Sequence, residues 1–290
     1  PDQRLALRDI RSVCRPGASL CVFDYARTRS SVAPAALGSD IGRPILIEDM
    51  PTWLAEAGWS AITMEDWTAR YVGWYDALMA AFERDPGLKV LVLTGADPAF
   101  CAGLDLKELG SSGANLGVVG GRRPFPAMTK PLIGAVNGVA ITGGFELALN
   151  CDFLVASEHA KFGDTHSRVG VMPGWGLTVL LPQAIGVRRA REMSWTGNFM
   201  LADEALQFGL VNHVVPHAEL MPFTRQLALD IVGNDQPGVR QMKATYAEIT
   251  AEDAAWDIEQ ANGRRWSAER FSPEMVEARR RAIQERGRTM

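Results

Sequence analysis

The sequence predicts an α/β fold, because buried strands alternate with glycine turns and helices along most of its length. The clearest example lies within Lys130–Asp152, where the apolar and partly β-branched run Pro131–Ile141 predicts a buried strand. Gly143 and Gly144 follow this strand, and the good helix formers after them predict a helix. Lys89–Thr94 predicts a second buried strand that ends in a glycine-containing turn.

The remaining elements are predicted from the same periodicities and turn residues. After the central helix, we expect a strand at Phe153–Ala156, helices at Leu177–Ala184, Arg188–Gly197 and Ala202–Gly209, and a strand at Val211–Val215. The C-terminal part predicts amphipathic helices at Leu220–Val232, Gly238–Thr250 and Glu252–Trp266, and another that begins at Ser272. Residues 1–84 predict further α/β structure, with strands at Ser19–Phe23 and Ser60–Met64 and a helix at Tyr71–Phe82.

The composition excludes several classes of function. At 290 residues, 47% hydrophobic and 22% charged, the chain has the balance of an ordinary soluble globular protein. Its net charge of −4 gives no basic field for nucleic acid. The four cysteines show neither CxxC spacing nor a Cys/His pattern for zinc, so we expect reduced thiols, no metal and a cytoplasmic protein. No apolar run reaches the roughly 18 residues of a membrane span, so no membrane association is expected.

Two glycine turns place backbone amides where they can bind an oxyanion. The first amides of a helix have no intrahelical acceptor, so the N–H of Gly143 is available to a carbonyl oxygen. Gly103 permits a tight turn, and the N–H of Leu104 after it is the second candidate donor. Two converging amides stabilise a developing enolate or tetrahedral oxyanion. Glu146, in the first turn of the predicted helix, is either a catalytic carboxylate or a complement to the helix dipole.

Four motifs occur in an order that resembles the crotonase (enoyl-CoA hydratase/isomerase) superfamily: FCAGLDL, GAVNGVAITGGFELALNCD, FGDTHSRVGVMPGWG and the segment Thr196–Pro216. The resemblance begins at about Asp85 and continues to the C-terminus. It implies a ClpP/crotonase spiral of ββα units over residues 85–220 and a helical trimerisation region over residues 221–290. It further implies an acyl-CoA thioester substrate, no cofactor apart from the coenzyme A of that substrate, and a homotrimer or dimer of trimers.

The resemblance also assigns candidate site residues by position. Leu104 and Gly143 correspond to the two oxyanion-hole amides, Glu146 to the first catalytic glutamate and His166 to the second. The unperturbed pKa of histidine, about 6.5, allows acid or base work, although a histidine near a turn more often hydrogen-bonds a backbone carbonyl. Asp164 is a weaker candidate for the same role. The expected substrate-binding residues are Ala102, Gly103, Asp105, Gly144, Pro173 and Gly174.

Residues 1–84 resemble a different family. The segments VCRPGASLCVFDYAR and WLAEAGWSAITMEDWTARYVGWYDALMAAF resemble the C-terminal third of a class I S-adenosylmethionine-dependent methyltransferase, which implies an incomplete Rossmann-like segment. No glycine loop of the kind through which such folds bind their cofactor occurs in these residues, so no S-adenosylmethionine binding is expected. We expect the helix at Tyr71–Phe82 to dock on the crotonase-like part.

The leading hypothesis is hydration of a 2-enoyl-CoA through an enolate held in the oxyanion hole, with Glu146 moving a proton. Because His166 replaces the second glutamate, double-bond isomerisation, thioester hydrolysis and other enolate reactions are alternatives. The strand pair and helix with which the family usually opens do not precede Lys89, and this favours a third alternative, a non-catalytic acyl-CoA-binding protein.

Overall fold

A computed structural model describes residues 71–103, 123–250, 253–270, 272 and 274–280. The expectations for residues 1–70, Leu104 and Asp105 lie outside the described residues. The strands are β1 (Leu91–Thr94), β2 (Ala99–Cys101), β3 (Leu132–Val136), β4 (Val139–Ile141), β5 (Phe153–Ser157), β6 (Lys161–Gly163), β7 (Phe199–Leu201) and β8 (His213–Val215). The α-helices are α1 (Tyr71–Arg84), α2 (Gly143–Leu149), α3 (His166–Val169), α4 (Leu177–Ile185), α5 (Val187–Thr196), α6 (Ala202–Phe208), α7 (Leu220–Val232), α8 (Gln236–Ile249), α9 (Asp253–Arg270) and α10 (274–280), and a short 3-10 helix spans His217–Glu219.

The strands form two four-stranded sheets, and consecutive strands along the chain fall mostly in alternate sheets. The first sheet has the order β1-β3-β5-β8 and is parallel throughout. The second has the order β2-β4-β6-β7, in which β7 runs antiparallel to β6. The unit β3-β4-α2 is followed by β5-β6-α3, so each turn adds one strand to each sheet and then a helix. This confirms the predicted spiral of ββα units.

The single strand predicted at Pro131–Ile141 is wrong, because this run forms two strands, β3 and β4, one in each sheet. The chain changes sheets at Asn137 and Gly138. The Asn137 side chain donates to Asp97 Oδ1 at 2.8 Å, which anchors the corner. A Cβ on Gly138 would lie 2.0 Å from the Pro98 carbonyl oxygen, so glycine is required there. The sequence carries a signal for this corner, because Asn137-Gly138 is a turn dipeptide that interrupts the apolar run between β3 and β4.

The core and the C-terminal helices follow from this arrangement. One hydrophobic cluster joins both sheets to α2, α4, α5 and α6, and its largest fully buried side chains include Phe145 and Phe162. Helix α7 has the predicted bounds and packs on the first sheet, with Leu220 against Ile133. Helix α9 continues to Arg270, beyond its predicted end. Within the described ranges, no helix combines the length and apolar character that crossing a membrane requires.

Helix α1 docks on the core, as predicted. Its Met79 and Phe82 are buried, and Met79 packs in a cluster with Phe125 and Leu132 of β3. Near the C-terminal end of α1, the side chain of Lys130 is buried. Its ammonium group donates to the carbonyl oxygen of Phe82 and, at 2.7 Å, to that of Asp85. Apolar burial and the capture of helix carbonyls by a cation therefore both fix α1 to the spiral.

Substitution of neighbouring residues on α1 tests this docking. Met79→Ala should lower the free energy of unfolding by about 2–5 kcal/mol, because it leaves a cavity in a packed cluster. Leu78→Ala is the matched control: Leu78 is 43% exposed, and its loss should cost less than about 1 kcal/mol. Urea unfolding measures both. Equal effects of the two changes would show that α1 does not pack on the core through Met79.

Candidate active site

The site is built around the start of α2. Thr142, the residue before the helix, has φ 53° and ψ −119°, and this unusual conformation turns the chain sharply from β4 into α2. Gly143 is the first helical residue, so helix geometry offers its N–H no intrahelical acceptor. Among the described residues, an added Cβ at Gly143 would meet the Trp175 ring at 3.6 Å, so Trp175 lies beside the start of α2. The predicted donor is therefore at a helix N-terminus.

The end of β2 packs directly against this helix start. Gly103 has φ +80°, and an added Cβ there would lie 3.1 Å from the carbonyl oxygen of Ile141. A Cβ on Gly144 would lie 2.0 Å from the carbonyl oxygen of Cys101, so Gly144 is needed for close packing and is buried. Ala102, between these contacts, is exposed. The backbone that leads to Leu104 thus reaches the α2 N-terminus, while the Leu104 amide itself stays a prediction.

Glu146 is 3% exposed and points from the first turn of α2 toward the loop before α4. Its Oε1 accepts hydrogen bonds from the backbone N–H of Gly174 at 3.1 Å and of Trp175 at 2.7 Å. Its Oε2 lies 3.6 Å from His166 Nε2, beyond ordinary hydrogen-bond length. The carboxylate is therefore held through one oxygen, and the other faces the histidine. A glutamate that only complemented the helix dipole would need neither the hydrogen bonds from the loop nor the approach to His166.

His166 is held by Asp164. The ring Nδ1 lies 2.6 Å from Asp164 Oδ1, and the same oxygen accepts the His166 backbone N–H at 3.1 Å. Both side chains are buried. The histidine thus bonds a carboxylate and not a backbone carbonyl, and Nε2 is directed to Glu146. The structure brings together Glu146 and His166, which the sequence predicted, and gives Asp164 the role of orienting the ring.

The pKa values follow from these contacts. Burial by itself lowers the pKa of His166, but the hydrogen bond to Asp164 and the nearby charges of Glu146 and Asp164 raise it to about 9. Burial by itself raises the pKa of Asp164, but the hydrogen bond and charge of His166 hold it below its usual range. At neutral pH the site therefore holds an imidazolium between two acidic side chains.

Side chains that sequence reasoning missed hold the loop against Glu146. Asn150 Nδ2 donates to the Trp175 carbonyl oxygen at 2.8 Å, and Gln260 Nε2 donates to that of Gly174. Glu259 Oε1 accepts the Gly176 N–H at 2.6 Å. Pro173, the other predicted substrate-binding residue here, is buried beside them. No local sequence signal links α9 to a loop more than 80 residues away, since helical periodicity reports only which face is apolar.

Metal ions in proteins require a set of ligating side chains. In the described part of the chain, no group of three or more His, Cys, Asp or Glu side chains is placed to hold a metal ion. Cys101 and Cys151 are free thiols. The absence of a cofactor other than the coenzyme A of the substrate stays a prediction.

Comparison with known proteins identifies the family. The enoyl-CoA hydratase/isomerase family matches residues 74–271. The chain belongs to this family. A probable peroxisomal enoyl-CoA hydratase 1 of Arabidopsis thaliana is 43% identical over 167 residues, which are 56% of this chain and 62% of the plant protein. A crotonyl-CoA hydratase of Syntrophomonas wolfei is 39% identical over 190 residues, which are 62% of this chain and 73% of that protein.

The fold of this chain also resembles the solved structures of family members. The enoyl-CoA hydratase of Mycobacterium tuberculosis has 47% identity and a TM-score of 0.63, with 70% of this chain and 87% of that chain covered. The family match begins inside α1, at residue 74, and includes all of α9, so most of the docked helix and the α9 residues that contact the Gly174–Gly176 loop fall within it. The resemblance of residues 1–84 to a methyltransferase stays a prediction.

Titration of His166 tests the electrostatics of the site. Its imidazole resonances in NMR spectra, assigned with His166→Gln, should titrate with a pKa of about 9. Asp164→Asn should lower this pKa by at least about one unit, because it removes the charge that Nδ1–H faces. A wild-type value near the unperturbed 6.5 or so would contradict the buried ion pair.

The same shift has a consequence for stability. The pKa of His166 is raised on folding, so its charged form stabilises the native state. This contribution should be complete below about pH 6.5 and lost as pH rises through about 9. In His166→Gln, the free energy of unfolding should lose this part of its pH dependence.

Proposed function

We propose that this chain catalyses the addition of water to 2-enoyl-CoA thioesters. The observation that carries the proposal is the buried pair of Glu146 and His166, whose Oε2 and Nε2 lie 3.6 Å apart. Glu146 lies in the first turn of α2, the helix whose first amide is that of Gly143, and His166 begins α3. Glu146 can accept a proton and His166 can donate one. Water addition across a double bond needs both at neighbouring carbons.

Each proton transfer of the proposed hydration is assigned to one side chain. The thioester carbonyl oxygen accepts hydrogen bonds from the N–H of Gly143 and of Leu104. Glu146 Oε2 removes a proton from water as the water oxygen bonds to the β carbon, and the π electrons move to the carbonyl oxygen as an enolate. The enolate returns these electrons to the α carbon, which takes the proton from His166 Nε2. The proton on Glu146 then passes to His166, and both groups regain their starting charge.

The opposite charges of the pair favour hydration over isomerisation. Isomerisation moves one proton from the γ to the α carbon, so a single base is sufficient for it. Here the second group is a protonated imidazolium, with Nδ1 committed to Asp164 and Nε2 directed to Glu146. That arrangement supplies a separate acid beside a separate base. The hydratase names of the Arabidopsis and Syntrophomonas relatives support the same choice.

The proposal includes the assembly that the family resemblance implies. We propose a homotrimer or a dimer of trimers, in which the C-terminal helices meet other copies. Support comes from large apolar side chains that are exposed on α7, α8 and α9: Leu229, Val232, Met242, Tyr246, Ile249 and Ile258. Such a concentration on consecutive helices is typical of an interaction surface. The acyl-CoA thioester is the proposed substrate, and its coenzyme A is the only cofactor component.

Substitution of Glu146 tests the catalytic role. Glu146→Gln should preserve the fold, because the amide oxygen can still accept from Gly174 and Trp175, and should lower kcat with crotonyl-CoA by about 10²- to 10⁴-fold. Glu204→Gln is a matched control: Glu204 also lies in the first turn of a helix, where it accepts the Leu201 N–H at 3.1 Å. Its loss should change kcat less than about 2-fold. A wild-type rate for Glu146→Gln would reduce Glu146 to a helix-terminal residue.

A further inference from the structure

Helix α9 presses one face onto the loop that holds Glu146. Trp256, Glu259 and Gln260 are spaced i, i+3 and i+4, so they project from the same side of the helix. Gln260 Nε2 donates to the Gly174 carbonyl oxygen. The Trp256 ring lies on Gly176, where an added Cβ would be 2.1 Å from Cη2. Glu259 accepts three hydrogen bonds, more than Gln260 makes with the loop.

Glu259 binds the backbone at the start of α4 with both carboxylate oxygens. Its Oε1 accepts the Gly176 N–H at 2.6 Å, and its Oε2 accepts the Thr178 N–H at 2.8 Å and the Thr178 hydroxyl. Gly176 is the residue before α4, so the carboxylate caps this helix from a distant part of the chain. Only 4% of Glu259 is exposed.

The hydrogen bonds of Glu259 complete those of the loop. The N–H groups of Gly174 and Trp175 both donate to Glu146. The carbonyl oxygen of Gly174 accepts from Gln260, and that of Trp175 accepts from Asn150. In Gly176, the carbonyl oxygen accepts from α4 and the N–H donates to Glu259. Every backbone polar group of the three residues therefore has a partner. Loss of the Glu259 contact releases the end of the loop that joins α4.

The negative charge of Glu259 is energetically unfavourable in this buried position. Burial raises its pKa above the usual range, the hydrogen bonds from Thr178 oppose this, and the charge of Glu146 raises it again. A buried carboxylate close to a second acidic side chain costs stability. The residue before α4 cannot supply a side-chain cap, because Gly176 has φ +92° and an added Cβ there would lie 2.1 Å from the Trp256 ring. Glu259 therefore caps α4 from α9 and ties this end of the loop to that helix.

We propose that Glu259 is a positioning residue for the reaction: by fixing Gly176 and Thr178 it keeps the Gly174 and Trp175 amides on Glu146 and so aims the Glu146 carboxylate at the substrate and His166. This inference rests on the proposed function of Glu146 as the general base. It makes α9, in the C-terminal helical region, part of the catalytic geometry and not only part of an assembly surface.

The test compares three variants of α9 in the full chain. Glu259→Ala removes both acceptors and should lower kcat with crotonyl-CoA about 10- to 100-fold, with KM changed less than about 3-fold, because misplacement of a catalytic group acts on the chemical step. Glu259→Gln keeps an acceptor for Gly176 and should restore kcat to within about 5-fold of wild type. Glu269→Gln, an exposed carboxylate on the same helix, is the control and should not change kcat.

A second measurement separates this inference from the proposed function. In Glu259→Ala, the pKa of His166 followed by NMR should fall from its wild-type value of about 9, because the Glu146 charge moves away from Nε2. This readout needs no turnover, so a wild-type protein without hydratase activity would contradict the proposed function alone. A folded Glu259→Ala protein with wild-type kcat and an unchanged His166 pKa would overturn the inference. If Glu259→Ala does not fold, Thr178→Val replaces it as the test, because it removes the hydroxyl donor to Glu259. Thr178→Val should lower kcat about 2- to 5-fold. An unchanged kcat in this variant would also overturn the inference.

Discussion

The structure of the site depends on one interaction, the pair of hydrogen bonds from the Gly174 and Trp175 amides to one oxygen of Glu146. These bonds join α2, which carries the proposed oxyanion donor Gly143, to the loop that precedes α4. They also fix which carboxylate oxygen remains for chemistry, namely the one that faces His166. Without them, Glu146 would be a buried charge with too few donors, which is a costly arrangement. The close packing of Gly144 on Cys101 and the contacts from α9 maintain the same geometry from either side.

His166, which stands where the family resemblance predicts a second glutamate, determines the electrostatics of the site. Two glutamates this close together would repel each other, and one of them would have to hold a proton. An imidazolium beside Glu146 attracts the carboxylate, and Asp164 on its far side keeps the ring charged and oriented. The pairing therefore keeps His166, the acid of the proposed reaction, protonated at neutral pH before substrate binds. The cost of burying these charges is offset by mutual pairing, as charge burial in a protein requires.

Much of this arrangement could be predicted from the sequence, and the exceptions have physical causes. Gly143, Glu146 and His166 lie together as expected, because a strand, a glycine pair and a helix dictate the local geometry of the first two and family position indicated the third. The corner at Asn137 was missed because the apolar residues on both sides predict one continuous strand, although the Asn137-Gly138 pair between them is a turn signal. Glu259 was missed because long-range contacts leave no periodic signal. Leu104, Asp105 and residues 1–70 lie outside the described residues, so the expectations for them stay predictions.

Product analysis in heavy water tests the central claim most directly. If Glu146 activates water and His166 protonates the enolate, the wild-type protein with crotonyl-CoA in D₂O should give 3-hydroxybutyryl-CoA with one deuteron at the α carbon, seen by NMR. Release of free coenzyme A would indicate hydrolysis of the thioester, and a product with a moved double bond and no added water would indicate isomerisation. Either result, or unchanged crotonyl-CoA bound at the site, would contradict the account.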